Sequence, residues 1–326
     1  MRRLPLIDRL RSPWDGVAAS PLGRRVRDLR LLRSAYYALQ DLTWIPVRKT
    51  VWEIEGSRMY LNPWEPSPLR RTFRSYIRTP KEPLTTQIFK DVIRPGQRVA
   101  DFGANIGYFT LLAAILVGPA GRVFAFEPEP RNFAHLSRNI ALNGYEQVTA
   151  FNQAAWHTAG MRRLYRANER DTGAHTLRET HAMWYFDAPR GGAFVDVEAV
   201  VPDDLLVAAA PIDAIKMDIE GAEMGALLGL AKTIDRSPRL TLFVEFFPQA
   251  LREMGDAPRE FLELLMDRYE LSGIALHEAQ SDRTQVQPVR KPEDVFRLCP
   301  REDKTVNLVL SHDPVALERL ASVREA

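Results

Sequence analysis

The feature that most constrains the fold is a glycine-rich segment that follows a short apolar run. Residues 98–102 have the pattern of a buried strand, residues 103–107 that of a tight turn, and residues 106–117 that of a helix. A second strand is predicted at 122–127, and it ends in the acid Glu127. Open α/β sheets bind nucleotide-like ligands with this combination of strand, glycine turn, helix and strand-terminal carboxylate.

The residues of the turn favour one class of ligand. Glycines 103 and 107 let the backbone approach a ligand closely, and the helix that follows presents free N–H groups to an anionic group such as a carboxylate. A dinucleotide site needs a glycine where Asn105 stands, and the charge of Asp101 would repel phosphates but suit a cation. The pattern therefore favours S-adenosylmethionine, which has a ribose, a carboxylate and two cationic centres but no phosphate, over NAD. A turn that holds no ligand is the alternative.

Three longer segments strengthen this interpretation. In chain order they are DFGANIGYFTLLAA, FAFEPEPRNFAHLSRNIALNG and IKMDIEGAE. Together they resemble the FkbM-type S-adenosylmethionine-dependent methyltransferases, over residues 81–248 and more loosely to residue 313. The resemblance implies a Rossmann-like class I methyltransferase fold with S-adenosyl-L-methionine as cofactor.

The resemblance also implies roles for individual residues. The cofactor-binding residues that it implies are Glu82, Asp101, Gly103, Asn105, Gly107, Glu127, Asn152 and Asp218. Those around the glycine turn would line the methionine portion, and Glu127 would hold the ribose. Residues 151–154 would edge the adenine, with Asn152 as the polar contact. Asp218 would face the methionine ammonium or the acceptor, and Glu82 matches an acid that often precedes the first core helix in the family.

The rest of the chain alternates strands and helices. Strands are predicted at 98–102, 122–127, 147–152, 212–218, 239–246, 270–277 and 305–311, and helices at 85–93, 106–117, 130–142, 221–230 and 257–268. Right-handed crossovers then give a mostly parallel sheet with helices on both faces. Since no clear helix links the last two strands, the final strand is expected to run antiparallel. We assign residues 81–315 to this methyltransferase domain, 1–80 to an N-terminal extension and 316–326 to a C-terminal tail.

The extension carries a local excess of positive charge. Residues 1–50 hold eleven Arg and Lys against four Asp and Glu, a net +7, while the whole chain has +2. A basic amphipathic helix is predicted at 22–44, a small hairpin at 51–62, and a loop rich in proline and arginine at 63–80. Docking of the helix on the domain or on a second subunit, as in a homodimer, is favoured over a membrane-surface role. The charge is too local to indicate a nucleic-acid partner.

Composition sets further limits. The hydrophobic fraction is 45% and the charged fraction 26%, as in soluble globular proteins. The single cysteine, Cys299, excludes an internal disulfide framework and fits a reducing compartment. No apolar run reaches the ~18–20 residues that cross a bilayer. Asp8 and Arg9 interrupt any apolar signal core. A cytoplasmic location is therefore expected.

Methyl transfer to a hydroxyl needs a group that accepts the hydroxyl proton. The catalytic candidates are Asp218, at the end of the fourth strand, Glu245, at the end of the fifth, and His175, in an irregular segment; His157 is a weaker candidate. Asp218 is favoured, with Glu245 secondary. No metal is assigned, although a Mg²⁺ site at Asp218, Glu220 and Glu245 stays open. Asp218 and Glu220 also suit the start of a helix, where acids are stabilised by the dipole.

These observations predict an O-methyltransferase that acts on a sugar or polyketide-like small molecule. Trp156 and the aromatic residues at 184–186 suit an aromatic wall for such an acceptor, although core packing explains them as well. The alternatives are a non-catalytic module that keeps the fold and, less favoured, an NAD-dependent oxidoreductase. The sequence does not identify the acceptor, because acceptor loops vary on one fold.

Overall fold

A computed structural model describes residues 48–65, 69–78, 81–166, 175–177, 194–277 and 285–322. Its strands are β1 (Val51–Ile54), β2 (Ser57–Tyr60), β3 (Arg98–Phe102), β4 (Arg122–Phe126), β5 (Val148–Phe151), β6 (Ala154–Ala155), β7 (Gly160–Tyr165), β8 (Phe194–Val200), β9 (Ala214–Met217), β10 (Thr241–Phe246), β11 (Ser272–His277), β12 (Gln285–Val289) and β13 (Val306–Ser311). Its α-helices are α1 (Leu69–Arg78), α2 (Pro83–Val92), α3 (Tyr108–Val117), α4 (Pro130–Asn143), α5 (Pro202–Leu206), α6 (Glu223–Leu228), α7 (Ala231–Asp235), α8 (Pro248–Met254), α9 (Pro258–Glu263), α10 (Pro292–Leu298) and α11 (Pro314–Ser322). The helix predicted at 22–44 and the aromatic residues at 184–186 lie outside the described residues.

The central sheet has the strand order β5-β4-β3-β9-β10-β13-β11-β12. The five strands from β5 to β10 run parallel, whereas β13 is antiparallel to both of its neighbours. This confirms the predicted class I methyltransferase sheet with its antiparallel last strand. The order reverses between β3 and β9, and ligands of such sheets bind at the carboxyl ends of the strands near this switch point.

Helices cover both faces of the sheet, as predicted. One face packs on the hairpin and on α1, α2, α3 and α11, and Phe73, Phe89 and Phe109 are buried there. The other face packs on α6, α8, α9 and α10 around Phe246 and Phe261. Apolar burial on both faces explains why the parallel strands have few polar residues before their carboxyl ends.

The hairpin is confirmed, but the loop prediction for 63–80 was wrong. β1 and β2 pair antiparallel, and the hairpin docks on α4 through a hydrogen bond from the Tyr60 backbone N–H to Oδ1 of Asn139, 2.7 Å. Residues 69–78 then form α1, with Leu69, Phe73 and Ile77 buried. These residues recur at helical spacing, and the arginines between them concealed the pattern. The hairpin and α1 share one apolar core with the central sheet.

Three further segments differ from the prediction. β12 and α10 lie between β11 and β13, where no clear element was expected. The stretch between the strands predicted at 147–152 and 212–218, expected to be irregular, contributes a three-stranded sheet of order β6-β8-β7 from its described residues. α11 occupies most of the predicted C-terminal tail and buries Ala316 and Leu320 against the first face. α11 is only nine residues long, and a pattern that short did not reveal it in the sequence.

Two predicted helices begin later than expected because their first residues lie in the left-handed region of the backbone. α3 begins after Gly107, at φ 101°, and α6 begins after Glu220 and Gly221, at φ 53° and 100°. Both turns lie at the carboxyl edge of the sheet. Among the described residues, none of the helices combines the length and the apolar character that a membrane span requires.

Candidate functional site

A cleft opens at the carboxyl edge of β3, β4 and β9. It contains about 550 Å³ of non-atom space, part of it open to solvent. Its wall includes Gly103, Asn105, Glu127 and Asp218 from the predicted set, together with His175. Apolar side chains complete it: Phe102, Phe126, Leu164, Leu177 and Ile219. The cleft therefore combines apolar walls of a size that suits a nucleobase with carboxylates that suit hydroxyl and ammonium groups.

Gly103 lies against the backbone at the end of β9, which leaves no space for a side chain. It has φ 81°, and a Cβ at this position would lie 2.0 Å from the carbonyl oxygen of Asp218. The glycine therefore allows two strand ends to approach each other, in addition to lining the cleft. Gly107, at φ 101°, is close to Leu136, whose Cδ1 would lie 2.9 Å from an added Cβ. Gly107 does not belong to the cleft wall, so its predicted contact with the cofactor has no support in this geometry.

Glu127 is held rigidly at the cleft wall by the turn. Its Oε2 accepts a hydrogen bond from the backbone N–H of Asn105, 2.7 Å, and its Oε1 accepts one from that of Glu129, 2.9 Å. Asn105 reaches this position in the left-handed region, at φ 51°. The carboxylate is only 5% exposed, and burial raises the pKa of Glu127 to about 7 despite these hydrogen bonds. A bound group that donates hydrogen bonds would favour its ionised form.

Two predicted contacts lie away from the cleft wall. Asp101 is 3% exposed beneath the turn, where it accepts a hydrogen bond from Oγ1 of Thr110, 2.6 Å, and burial raises its pKa. Asn152 is exposed, and its side-chain amide donates to the carbonyl oxygens of Glu127 and Pro128. Its neighbour Gln153 lines the cleft instead. Because side chains alternate at a strand end, the choice between Asn152 and Gln153 depended on a register that the sequence leaves open.

Two lysines that the sequence analysis missed surround Asp218. Its Oδ2 lies 3.4 Å from Nζ of Lys216 and 3.5 Å from Nζ of Lys81. Glu82, predicted from the resemblance, joins the cluster with its carboxylate 3.2 Å from Lys81 and 3.8 Å from Lys216. The signal for Lys216 was its place two residues before Asp218 on the same strand, which puts both side chains on one face of the sheet.

The two lysines give the two candidate bases, Asp218 and Glu245, different pKa values. Burial would raise the pKa of Asp218, but the charges of Lys216 and Lys81 outweigh it and lower that pKa to about 2. Burial, followed by the charges of Asp218 and Glu223, raises the pKa of Glu245 to about 8. Burial lowers the pKa of Lys216, but Glu82 and Asp218 outweigh it, so the net pKa is raised and the ammonium persists. Glu245 is therefore the carboxyl group that exchanges its proton near neutral pH, whereas Asp218 stays ionised, in contrast to the preference for Asp218 from sequence.

Glu245 lies beside a small pocket next to this cluster. The pocket has about 190 Å³ of non-atom space and is lined by Glu82, Lys216, Glu245 and Asn307 among others. Asn307 on β13 lies directly opposite Glu245 in the antiparallel ladder. Sequence reasoning missed Asn307, because only the pairing of β13 with β10 brings it to the site.

A hydrogen bond from the turn after β9 to the carboxylate of Glu223 stabilises that turn. Oε1 of Glu223 accepts a hydrogen bond from the backbone N–H of Ile219, 3.1 Å, and burial raises the pKa of Glu223 to about 7. The turn places oxygens of Asp218, Glu220 and Glu245 within 4.8 Å of one another, a spacing that could hold a cation. Lys216 and Lys81 already supply positive charge to Asp218, so the geometry does not require a metal.

His175 lies at the cleft wall, and contacts of the next residue, Thr176, hold it there. Thr176 pairs with Tyr165 at the end of β7, and its Oγ1 donates to the carbonyl oxygen of Glu220, 2.8 Å. This contact ties the segment 175–177 to the turn that carries Asp218. His157 is exposed and does not belong to the cleft wall.

Comparisons with known proteins show the family to which the chain is similar. The family model for the methyltransferase FkbM domain matches residues 101–270. The methyltransferase sdnD of Sordaria araneosa is 32% identical over 155 residues, which cover 40% of this chain and 60% of that protein. A protein-L-isoaspartate O-methyltransferase of Aeropyrum pernix is 42% identical over 55 residues, 17% of this chain and 21% of that protein. These matches span less than two thirds of either relative.

A solved structure, that of the methyltransferase FkbM from Methylobacillus flagellatus KT, aligns with a TM-score of 0.38 and 17% identity. The alignment covers 74% of this chain and 53% of that one.

Proposed function

Because this chain belongs to the methyltransferase FkbM family, we propose that it transfers the methyl group of S-adenosylmethionine to a hydroxyl of a sugar or polyketide-like small molecule. The main support for the proposal is that a nucleoside-sized cleft and a carboxylate that can accept a proton lie next to each other at one edge of the sheet. Asp218 belongs to the cleft wall and contacts Lys216, and Lys216 and Glu245 line the adjoining pocket.

The cleft fits the proposed cofactor in its donors and its walls. Glu127, already oriented by two backbone N–H groups, would accept hydrogen bonds from the ribose hydroxyls. Phe126, Leu164 and Leu177 would cover the adenine, with Gln153 as a polar contact at its edge. Gly103 and Asn105 would border the methionine portion. When bound there, S-adenosylmethionine supplies a methyl group activated by a positively charged sulfur.

The chain itself must then position a hydroxyl and remove its proton. We assign the hydroxyl to the pocket between Glu82, Lys216, Glu245 and Asn307, where both donors and acceptors face it. Glu245 takes the proton in its ionised form, which is the minor form at pH 7 and the major form above about pH 8, and a pKa of about 8 makes that carboxylate a stronger base than Asp218. Asp218 supports this role by keeping negative charge beside Glu245, and Lys216 keeps Asp218 ionised. His175 is a second candidate for proton transfer at the cleft wall.

A metal-assisted version of the same reaction has one observation in its favour. The oxygens of Asp218, Glu220 and Glu245 lie close enough together to share a divalent cation. The adjacent ammonium groups of Lys216 and Lys81 would repel that cation, so we favour the metal-free version.

Equilibrium dialysis against labelled S-adenosylmethionine and labelled NAD tests the cofactor assignment. The proposal predicts that only S-adenosylmethionine is retained. Incubation with methyl-labelled cofactor and a panel of sugars and polyketides then tests transfer, with and without a chelator. Activity that disappears with the chelator and returns with Mg²⁺ would establish the metal-assisted version. Cofactor binding with no transfer to any acceptor of the panel would favour a non-catalytic module.

A further inference from the structure

We propose that a groove beside the cofactor cleft binds an anionic group, a carboxylate or a phosphate, on the methyl acceptor. The groove runs along β7 and is bounded by Trp156, Arg162, Arg163, Leu177 and Met254. It contains about 460 Å³ of non-atom space, part of it open to solvent, which suits a group the size of one sugar. The proposal that the groove binds an anion is independent of the proposed function. The identification of that anion as part of a methyl acceptor rests on the proposed function.

Arg162 is fixed and partly desolvated. Its guanidinium carbon lies 4.7 Å from the centre of the Trp156 ring, and its Nη2 donates to Oγ1 of Thr158, 2.7 Å. Its Nε is shielded from solvent and has no acceptor within the described part of the chain. A guanidinium remains charged in proteins, so a donor shielded in this way carries a desolvation cost that a bound anion would offset.

Trp156 holds this arginine in place. Its backbone N–H donates to the carbonyl oxygen of Val200, 2.9 Å. Its ring lies directly over Gly225 of α6, where an added Cβ would come within 2.4 Å of the ring. The ring is therefore packed between α6 and Arg162, and the guanidinium occupies a preformed position, as recognition of a planar carboxylate requires.

Among the described residues, no carboxylate pairs with Arg162. The acids closest in the strand register are Asp196 and Glu198 on β8, opposite Arg163 and Met161. Within the described part of the chain, neither Arg162 nor Arg163 forms an ion pair within 4.0 Å. The guanidinium of Arg163, the next residue on the strand, lies over the Phe194 ring, 4.7 Å from its centre. Of the two arginines, Arg162 is therefore the one that presents its guanidinium to the groove, beside Trp156.

The groove adjoins the place where the cofactor would lie. Leu177 belongs to the walls of both the groove and the cofactor cleft. A molecule with its anionic group on Arg162 therefore lies next to the bound cofactor. This geometry favours an acidic or phosphorylated sugar over a neutral one, because a neutral ring would leave the guanidinium without a partner.

The test uses the full chain labelled with ¹⁵N-arginine, and it follows the Nε–Hε signal of Arg162 by NMR. Arg162→Lys identifies that signal. Glucuronate, glucose 6-phosphate and neutral glucose are titrated as probes. The Arg162 signal should shift with an acidic probe and not with glucose, and Arg162→Gln should weaken binding by about tenfold or more, the scale for a charge-assisted hydrogen bond. Arg236→Gln, an exposed charge removed outside the groove, should leave binding unchanged.

A shift with glucuronate alone or with glucose 6-phosphate alone supports the proposal and selects the anion. An absence of any shift with either acid overturns it, as does equal binding of glucose or an equal loss in Arg236→Gln. Calorimetry with S-adenosylmethionine on the same sample keeps the two proposals apart. Cofactor binding without anion binding overturns the groove alone, whereas anion binding without cofactor binding overturns the proposed function.

Discussion

Nζ of Lys216 lies 3.4 Å from Oδ2 of Asp218, and both side chains project from the same face of β9 toward the site. The contact keeps Asp218 ionised, with a pKa of about 2, against the effect of its burial. The fixed negative charge in turn raises the pKa of the neighbouring Glu245, after the larger effect of burial. This ion pair therefore determines which carboxylate of the site can exchange a proton near neutral pH.

Lys216→Met should destabilise the protein at pH 7 by about 1–3 kcal/mol, the range for leaving a charged group without one of its partners. The effect should stay below that of breaking a fully buried ion pair, because the Asp218 side chain is 25% exposed and Lys81 remains 3.5 Å away. Lys232→Met, which removes an exposed lysine, is the control and should change stability by less than about 0.5 kcal/mol. Chemical denaturation measures both.

The pH dependence of this effect follows from the lowered pKa of Asp218. Its stabilising contribution is present above its ordinary pKa and is lost as the pH falls toward about 2. The difference in stability between wild type and Lys216→Met should therefore shrink below about pH 4. A difference that is the same at pH 3 and pH 7 would contradict the assigned role of the pair.

Glu245→Gln should stabilise the protein at alkaline pH. The folded pKa of Glu245 is about 8, above its unfolded value, so its contribution is present at low pH and is lost as the pH rises to about 8. At pH 9 the variant avoids a buried charge and should gain about 1–3 kcal/mol over wild type. Glu146→Gln, at an exposed carboxylate, is the control. Equal stability of Glu245→Gln and wild type at pH 9 would show that Glu245 ionises normally.

Gly103→Ala should destabilise the protein more than Gly144→Ala does. Both glycines have positive φ, but a Cβ at residue 103 would meet the Asp218 carbonyl at 2.0 Å, whereas one at residue 144 meets nothing within 4 Å. Gly144 is in the left-handed helical region, at φ 65° and ψ 34°, so Gly144→Ala should cost about 1 kcal/mol for the backbone conformation alone. Gly103→Ala should cost about 2 kcal/mol more from the forced separation of β3 and β9. Equal thermal stabilities would contradict the close approach.

The central sheet could be predicted from the sequence because its strands are short apolar runs bounded by glycine, proline or acids. β3 was predicted with its observed limits, Arg98–Phe102. α1 and α11 could not be predicted, because they are only ten and nine residues long, and helices of that length form only when a core is present to bury their apolar residues.

The sequence predicts which residues lie at the ends of the strands, but it predicts less well the direction in which their side chains point. Glu127 lies at the cleft wall as expected, but Asp101 faces Thr110 beneath the turn. Lys216 and Asn307 come to the site only through the pairing of strands that are distant in sequence. The choice between Asp218 and Glu245 as the base depends on the charges around each carboxylate, and the spacing of residues in the sequence does not reveal those charges.

The affinity for S-adenosylmethionine should rise with pH through neutrality. Glu127 has a pKa of about 7 without a ligand, and only its ionised form accepts hydrogen bonds from both ribose hydroxyls. Binding should therefore release protons near pH 7, and the affinity should level off above about pH 8. Calorimetry in buffers of different ionisation enthalpy measures this release. A pH-independent affinity in wild type would show that Glu127 does not contact the ribose.

Calorimetric titration of S-adenosylmethionine into wild type, Glu127→Ala and Glu129→Gln tests the central claim most directly. Glu129 is also buried, but its carboxylate binds backbone N–H groups of α4 and Arg166 and does not line the cleft. We expect one cofactor per wild-type chain, a loss of about 1.5–3 kcal/mol of binding free energy in Glu127→Ala, and little change in Glu129→Gln. Failure of wild type to bind, or equal affinity of a folded Glu127→Ala, would contradict that claim.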